Sequence, residues 1–204
     1  MTQPDDVAKY IRSESESPEE VLALLKKVKS EDGEISRYDW MMKLDTSRED
    51  ITGVVATFVK DGETRNRLVL LTPDEDGKWK MDFAAFARST TPDWSELVAG
   101  KVESAVVRVY VAPDQYFNGP FSEQAGWRCY GIASPDMPEL FYGYCLEGSA
   151  QEKVLERLLS DRKTARATLG IERVEGASNR QFRIKRVLAE DWVIGESSAD
   201  DGVK

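Results

Sequence analysis

Histidine is absent from this chain of 204 residues, and cysteine occurs only twice. The absence of histidine excludes Ser-His-Asp and Cys-His nucleophilic centres and metal sites built on imidazole. An all-cysteine zinc site needs about four thiolates, so two cysteines are too few for one within a single chain. The residue types therefore predict no cofactor and no metal.

Long apolar runs are also missing. No segment approaches the roughly 18 apolar residues that a membrane-spanning helix needs. The opening stretch, MTQPDDVAKYIRSESES, has no apolar region of the kind found in secretory signals. We therefore expect no membrane partner and a cytoplasmic location. The alternative is that the chain is a fragment of a longer exported protein.

Acidic residues outnumber basic ones by 37 to 28, which gives a net charge of −9. Residues 1–100 hold 14 basic and 21 acidic side chains (net −7), whereas residues 101–195 hold 13 of each. Phosphate contacts need a positive surface, so this charge argues against nucleic acid as a partner. A local basic cluster between Arg162 and Arg186 is compatible with a small anionic ligand as a partner.

The first half of the chain predicts one helix and a sheet. Residues 17–20, Ser-Pro-Glu-Glu, carry a capping-box pattern with proline at the first helical position, which predicts a helix over residues 18–29. Four strand patterns follow, two of them joined by the tight-turn pair Asp61-Gly62. We therefore expect a helix packed on a meandering antiparallel sheet within residues 17–95.

The last strand of this sheet reads Trp-Lys-Met-Asp-Phe over residues 79–83. A helix followed by a curling antiparallel sheet with this closing pattern resembles the cystatin-like or nuclear-transport-factor-like group, which includes short uncharacterised bacterial proteins. The resemblance covers the first half of the chain. It implies a conical ligand pocket in that half.

The second half predicts three strands, one helix and two strands between Ala105 and Val193. The helix begins at a second capping box, residues 149–152. This β-β-β-α-β-β order resembles a five-stranded OB-type barrel. The fold class is thus α+β. The predicted divisions are a flexible N terminus (1–16), a cystatin-like α+β domain (17–95), an OB-like barrel domain (101–195) and a disordered tail (196–204).

Both cysteines lie in the hairpin formed by the second and third strands of this barrel. If the hairpin turn centres on Met137, Cys129 and Cys145 lie directly opposite each other on one face. Two hypotheses then stay open. Opposed cysteines form a cross-strand disulfide if the geometry permits. In a cytosolic protein they are two buried free thiols.

The tyrosines of the same hairpin are candidate ligand-binding residues. In that register Tyr130, Tyr142 and Tyr144 share one face with Arg128. One interpretation buries the tyrosines in the core. The other places them on the outer face of strands two and three, where OB-type barrels stack their ligands.

The loop before the hairpin adds Tyr116 and Phe117 to the candidate ligand-binding residues. Aromatic side chains beside Asn118-Gly119-Pro120 suit either a recognition loop or a plug over an open end of the barrel.

Arg183 and Lys185 alternate with apolar residues on the last strand and therefore share its outer face. They suit a phosphate or an acidic peptide. They equally suit a solvated or charge-protected edge. We prefer the interpretation in which this basic face packs against the acidic first half of the chain, which is opposite in charge.

Catalysis would fall to carboxylates, since histidine is absent. Asp39, Asp45 and Asp82 would serve a small isomerase or hydrolase if they lined a pocket of the first domain. Each alternates away from the apolar face of its strand, so we expect each to face water.

The sequence thus favours a non-catalytic binding or scaffold protein that engages a protein or peptide. One alternative is an enzyme that uses Asp and Tyr in the first domain. The other is single-stranded nucleic-acid binding by the barrel face.

Overall fold

The computed structural model describes residues 3–13, 16–45 and 50–203, with the backbone alone for residues 42–45. The described chain has the predicted α+β architecture, with two five-stranded sheets. It divides into two compact units, Met1–Ala87 and Arg88–Lys204, whereas we predicted a boundary near residue 95. No helix in the described part of the chain is long and apolar enough to cross a membrane.

The first unit is a sheet covered on one face by a helix. Its described elements are, in chain order, α1 (Pro4–Tyr10), β1 (Ile11–Arg12), α2 (Pro18–Asp32), β2 (Glu34–Asp45), β3 (Asp50–Lys60), β4 (Glu63–Pro73), β5 (Trp79–Asp82) and α3 (Phe83–Ala87). The strand order is β1-β5-β4-β3-β2. Strands β2 to β5 form the antiparallel meander, and β1 joins β5 in parallel.

Helix α2 begins at the predicted residue. The Ser17 side chain accepts a hydrogen bond from the Glu20 amide, and the Glu20 side chain accepts one from the Ser17 amide, which completes the capping box. Gly33 follows the helix with a φ of 96°, a value that suits glycine. Asp32 ties this end of α2 to the sheet, because it pairs with the Arg67 guanidinium of β4 at 2.9 Å.

The N terminus differs from the flexible segment predicted for residues 1–16. Val7 of α1 and Ile11 of β1 are buried beside Val21 and Phe83. Ile11 also pairs with Met81, which adds a short parallel strand to the sheet. The prediction rested on the polar composition of the segment, and two apolar residues one turn apart suffice to anchor it.

The second unit is a closed five-stranded barrel. Its helices and strands are α4 (Trp94–Val98), β6 (Ser104–Asp114), β7 (Trp127–Ala133), β8 (Leu140–Leu146), α5 (Ala150–Leu159), β9 (Ala165–Glu172) and β10 (Gln181–Ala189). The strands follow the ring order β10-β8-β7-β6-β9. β10 closes the ring, because it pairs in parallel with β8 and antiparallel with β9.

The β7–β8 hairpin is paired one residue away from the predicted register. Arg128 lies opposite Cys145, and Cys129 lies opposite Tyr144. Side chains alternate between the two faces of a strand, so a slip of one residue moves a whole set to the other face. The two cysteines therefore lie on opposite faces, which excludes the hypothesis of a cross-strand disulfide and leaves that of two free thiols.

A close approach inside the barrel accounts for Gly143 at the centre of this hairpin. A Cβ atom on Gly143 would lie 2.8 Å from Cδ1 of Ile184 on β10. Glycine therefore leaves the room that Ile184 needs as β10 pairs beside β8. Ile184 belongs to the barrel core together with Ile132 and Phe141.

The tail differs from the disorder predicted for residues 196–204. Ala199 and Asp200 are buried. Asp200 accepts hydrogen bonds from the Val187 amide at 3.0 Å, from Nε2 of Gln151 at 2.7 Å and from Nε of Arg186 at 3.0 Å. Asp200, one of the acidic residues that suggested disorder, thus provides a carboxylate that joins β10 to α5.

Replacing Asp200 with alanine is expected to lower the free energy of unfolding by about 2–3 kcal/mol, because it leaves buried donors without an acceptor. The neighbouring Asp201→Ala removes a half-exposed ion pair with Arg186 and should cost less than about 1 kcal/mol. Urea denaturation of both variants measures the difference. Equal losses would show that Asp200 does not have the structural role described.

Candidate functional site

The three candidate tyrosines of the β7–β8 hairpin do not share one face. Tyr130 is buried in the barrel core, beside Ile132 and Phe141. Tyr144 is buried on the outer face, where Tyr142 is half-buried. The interpretation in which three tyrosines form an exposed platform beside Arg128 therefore does not hold, because the hairpin register is shifted by one residue.

The outer face of the hairpin is covered by aromatic residues of the preceding loop. Tyr116 stacks on Tyr142 with ring centroids 4.3 Å apart, and Phe121 stacks on Tyr144 at 3.9 Å. The Tyr144 hydroxyl donates to the Tyr116 carbonyl at 2.6 Å and accepts from Nε2 of Gln181 at 3.0 Å. Phe117 packs on the same cluster. The loop thus occupies the positions where a ligand would stack on this face.

Arg128 joins the hairpin to helix α5. Its Nε donates to the Glu152 carboxylate at 2.9 Å, and its Nη2 forms a short contact with Glu147. Glu152 is buried and also accepts from the Gly148 amide. A cation held by two carboxylates is not free for an anionic ligand, so Arg128 is a structural residue here.

Arg183 and Lys185 on β10 share one partner on β9. Glu172 forms an ion pair with the Arg183 guanidinium and another with Nζ of Lys185, at 3.3 Å. Their positive charge is thus partly balanced within the second unit. The ion pairs with Glu172 weaken the argument that this basic face docks against the acidic first half.

The carboxylates considered for catalysis lie apart from one another. Asp39 is half-exposed and pairs with Arg37 at 2.7 Å. Asp82 is buried, contrary to the expected exposure, and its Oδ1 accepts from the Ala85 amide at 2.8 Å, where α3 begins. The side chain of Asp45 lies outside the described residues. Among the described side chains, no three His, Cys, Asp or Glu residues are grouped to hold a metal ion.

Both cysteines are free and buried. Cys145 lies in the barrel core, and Cys129 packs against Phe121 and Tyr144 on the outer face. Burial raises the pKa of Cys129 to about 11 and that of Cys145 to about 12. Thiols with such pKa values are protonated near neutral pH and react slowly.

An apolar cleft of about 870 Å³ lies in the first unit, between α2 and the sheet, and sequence analysis did not identify the residues that line it. Its floor is built from side chains of β3, β4 and β5, namely Ala56, Phe58, Val69, Leu71 and Met81. One wall comes from α2, through Leu22, Leu25, Lys26 and Lys29. The volume and the apolar lining are typical of binding sites.

Large apolar side chains at the margins of the cleft are exposed. Tyr38 of β2 is 65% exposed, Trp79 of β5 is 47% exposed and Tyr10 at the end of α1 is 46% exposed. Trp40, two residues after Tyr38 on β2, is 70% exposed. The reason is that α2 packs over Ala56, Phe58 and Phe86 and leaves β2 uncovered.

No family model, curated protein or solved structure matches this chain. The geometry of the site is therefore the basis for its interpretation.

The separation of the two cysteines predicts that the purified protein has the same mass with and without reductant, and that a thiol reagent labels neither cysteine rapidly at pH 8. Both thiols should react once urea unfolds the chain, because burial keeps them protonated and covered. Labelling followed by mass spectrometry measures this. A mass difference of two hydrogens on reduction would contradict the structure.

The raised thiol pKa values also predict a loss of stability in alkali. The folded state holds these protons more tightly than the unfolded state, so the stabilisation is complete below pH 9 and falls as the pH rises towards 11. Each thiol contributes a slope of up to about 1.4 kcal/mol per pH unit. Urea denaturation between pH 8 and 10 should show a shallower fall for a Cys129→Ala, Cys145→Ala double variant.

Proposed function

We propose that this protein is a non-catalytic binding or scaffold module that engages a protein or peptide through the cleft of its first unit. The observation that carries the proposal is the set of exposed apolar side chains at the margins of that cleft, above all Tyr38 and Trp79. Contiguous exposed apolar surface is typical of interaction sites, and tyrosine and tryptophan are enriched among the residues that contribute most to binding.

The fold of each unit is part of the proposal. For the second unit, an OB-like barrel is supported by the order β-β-β-α-β-β and by the parallel pairing of its third and fifth strands, β8 and β10. For the first unit, a cystatin-like fold is supported by one long helix on an antiparallel meander with a cleft beneath it. The bacterial type and the cytoplasmic location stay predictions from sequence.

The two alternative functions have less support. Single-stranded nucleic-acid binding by the barrel would use the outer face of β7 and β8, and the residues Tyr116 and Phe121 cover that face. The net charge of −9 also opposes contacts with phosphate. An enzyme in the first unit would need a carboxylate in the cleft that is positioned for acid-base chemistry. Asp39 and Asp82 do not line the cleft, and the carboxylate that does, Glu34, is paired with Lys29 at 2.8 Å.

Peptides selected from a random display library against the full chain are expected to lose affinity by about tenfold or more when Trp79 or Tyr38 is replaced by alanine, because a buried aromatic anchor contributes about 2 kcal/mol. Trp79 is 47% exposed and Tyr38 is 65% exposed, so the variants should stay folded. Leu146→Ala, which removes a half-exposed apolar side chain from the barrel unit, is the control. Equal affinities for all three variants and the parent would contradict the proposed site.

A further inference from the structure

The cleft crosses four strands of the first sheet. It runs from Tyr38 on β2, over Ala56 on β3 and Leu71 on β4, to Trp79 on β5. Neighbouring strands lie about 4.8 Å apart, so three steps span about 14 Å. An α-helix rises about 1.5 Å per residue, so roughly nine residues, or two and a half turns, would fill this length. A helix of that length would present two or three apolar side chains, at helical spacing, to the floor of the cleft.

Addition of a strand to the outer edge of β2 is the competing mode of binding. The pairing of β2 with β3 shifts register twice, between Ile35 and Arg37 and between Trp40 and Lys43. Arg37 and Asp39 place an ion pair on the regular segment between these shifts. Bulges and charges are the features by which proteins protect an edge strand from pairing. The side-chain face of β2 is therefore a better binding surface than its edge.

The wall formed by α2 supplies the charge of the cleft. Leu22, Leu25, Lys26 and Lys29 recur at helical spacing, so the wall is apolar towards the floor and basic at its rim. Lys29 is engaged, because its Nζ pairs with Glu34 at 2.8 Å. Lys26 is exposed and forms no ion pair or hydrogen bond within the described residues. Lys26 therefore supplies a positive charge to the lining of the cleft that no described acidic side chain balances by an ion pair.

We propose that the partner of the cleft presents an amphipathic helix, with an apolar stripe that lies on the floor between Tyr38 and Trp79 and an acidic residue that meets Lys26. This inference rests on the proposed function and names the chemistry of the partner. A helix laid in an apolar groove is a recurring mode of peptide recognition. The positive charge at the rim of the cleft favours a partner that is negatively charged at that point of contact. The acidic residues elsewhere in the first half have little effect there, because salt screens charges beyond about 8 Å.

Three designed peptides test this proposal with the full-length protein. Each has about 16 residues, since shorter isolated helices are marginal in water. The first has leucines at helical spacing and glutamates at the flanks. The second replaces those glutamates with lysines. The third contains the residues of the first in a strictly alternating order that favours a strand. Each is labelled with a fluorophore, and binding is followed by fluorescence anisotropy.

The acidic helix is expected to bind at least about tenfold more tightly than the basic helix or the alternating peptide. Lys26→Glu should weaken the acidic helix by about tenfold and strengthen the basic one, since the change reverses the charge at the contact. Lys27→Glu is the matched control on the same helix. Lys27 pairs with Glu31 at 3.9 Å and does not line the cleft, so this variant should bind like the parent.

Each other outcome would overturn the inference in a recognisable way. Tightest binding of the alternating peptide would indicate strand addition at β2. Equal effects of Lys26→Glu and Lys27→Glu would show that net charge, not the contact at Lys26, decides affinity. Failure of the acidic helix to bind the parent would remove the helix as the occupant. The proposed function would still stand if peptides selected by display bind and lose affinity on Trp79→Ala.

Discussion

The register of the β7–β8 hairpin decides most of the second unit. Cys129 lies opposite Tyr144, so Tyr130 and Cys145 face inward and Tyr144 faces outward. A hairpin shifted by one residue would turn the side chains of β8 to the opposite face and would place Tyr144 on the same face as Tyr130. In the observed register Gly143 avoids the close contact that a Cβ atom would make with Ile184. Barrel closure, the state of the thiols and the covered outer face all depend on this single alignment.

Sequence reasoning predicted the elements of this protein well. The capping pattern at Ser17 located the start of α2, because the pattern acts through hydrogen bonds within a few residues. The order of three strands, one helix and two strands was likewise predicted for the second unit and is observed there. Local signals of this kind are contained in the residues themselves.

The alignment between elements was harder to predict. The hairpin register depends on the conformation of the turn over residues 134–139 and on the packing of β10 against β8. The alternation of residues along β7 and β8 does not determine either of these. The order of the tail depends on the donors of Gln151 and Arg186, which lie far along the chain from Asp200. The residues that line the candidate site were not identified for the same reason. Exposure of Tyr38 depends on where α2 crosses the sheet.

The cleft of the first unit follows from a mismatch of widths. A helix is about 10 Å across, whereas five strands span about 19 Å, so one helix covers only part of the face. Most two-layer folds cover such a face with further helices. Here the uncovered part of the face holds the aromatic side chains of Tyr38 and Trp79.

A partner bound in that cleft would cover the part of the sheet face that α2 leaves exposed. Folding and binding of the first unit would then be one linked equilibrium. Every tenfold rise in the concentration of a saturating partner would add about 1.4 kcal/mol to the stability of the unit. The amount of folded protein in a cell would thus report on the supply of its partner, without any change in the conformation of the sheet.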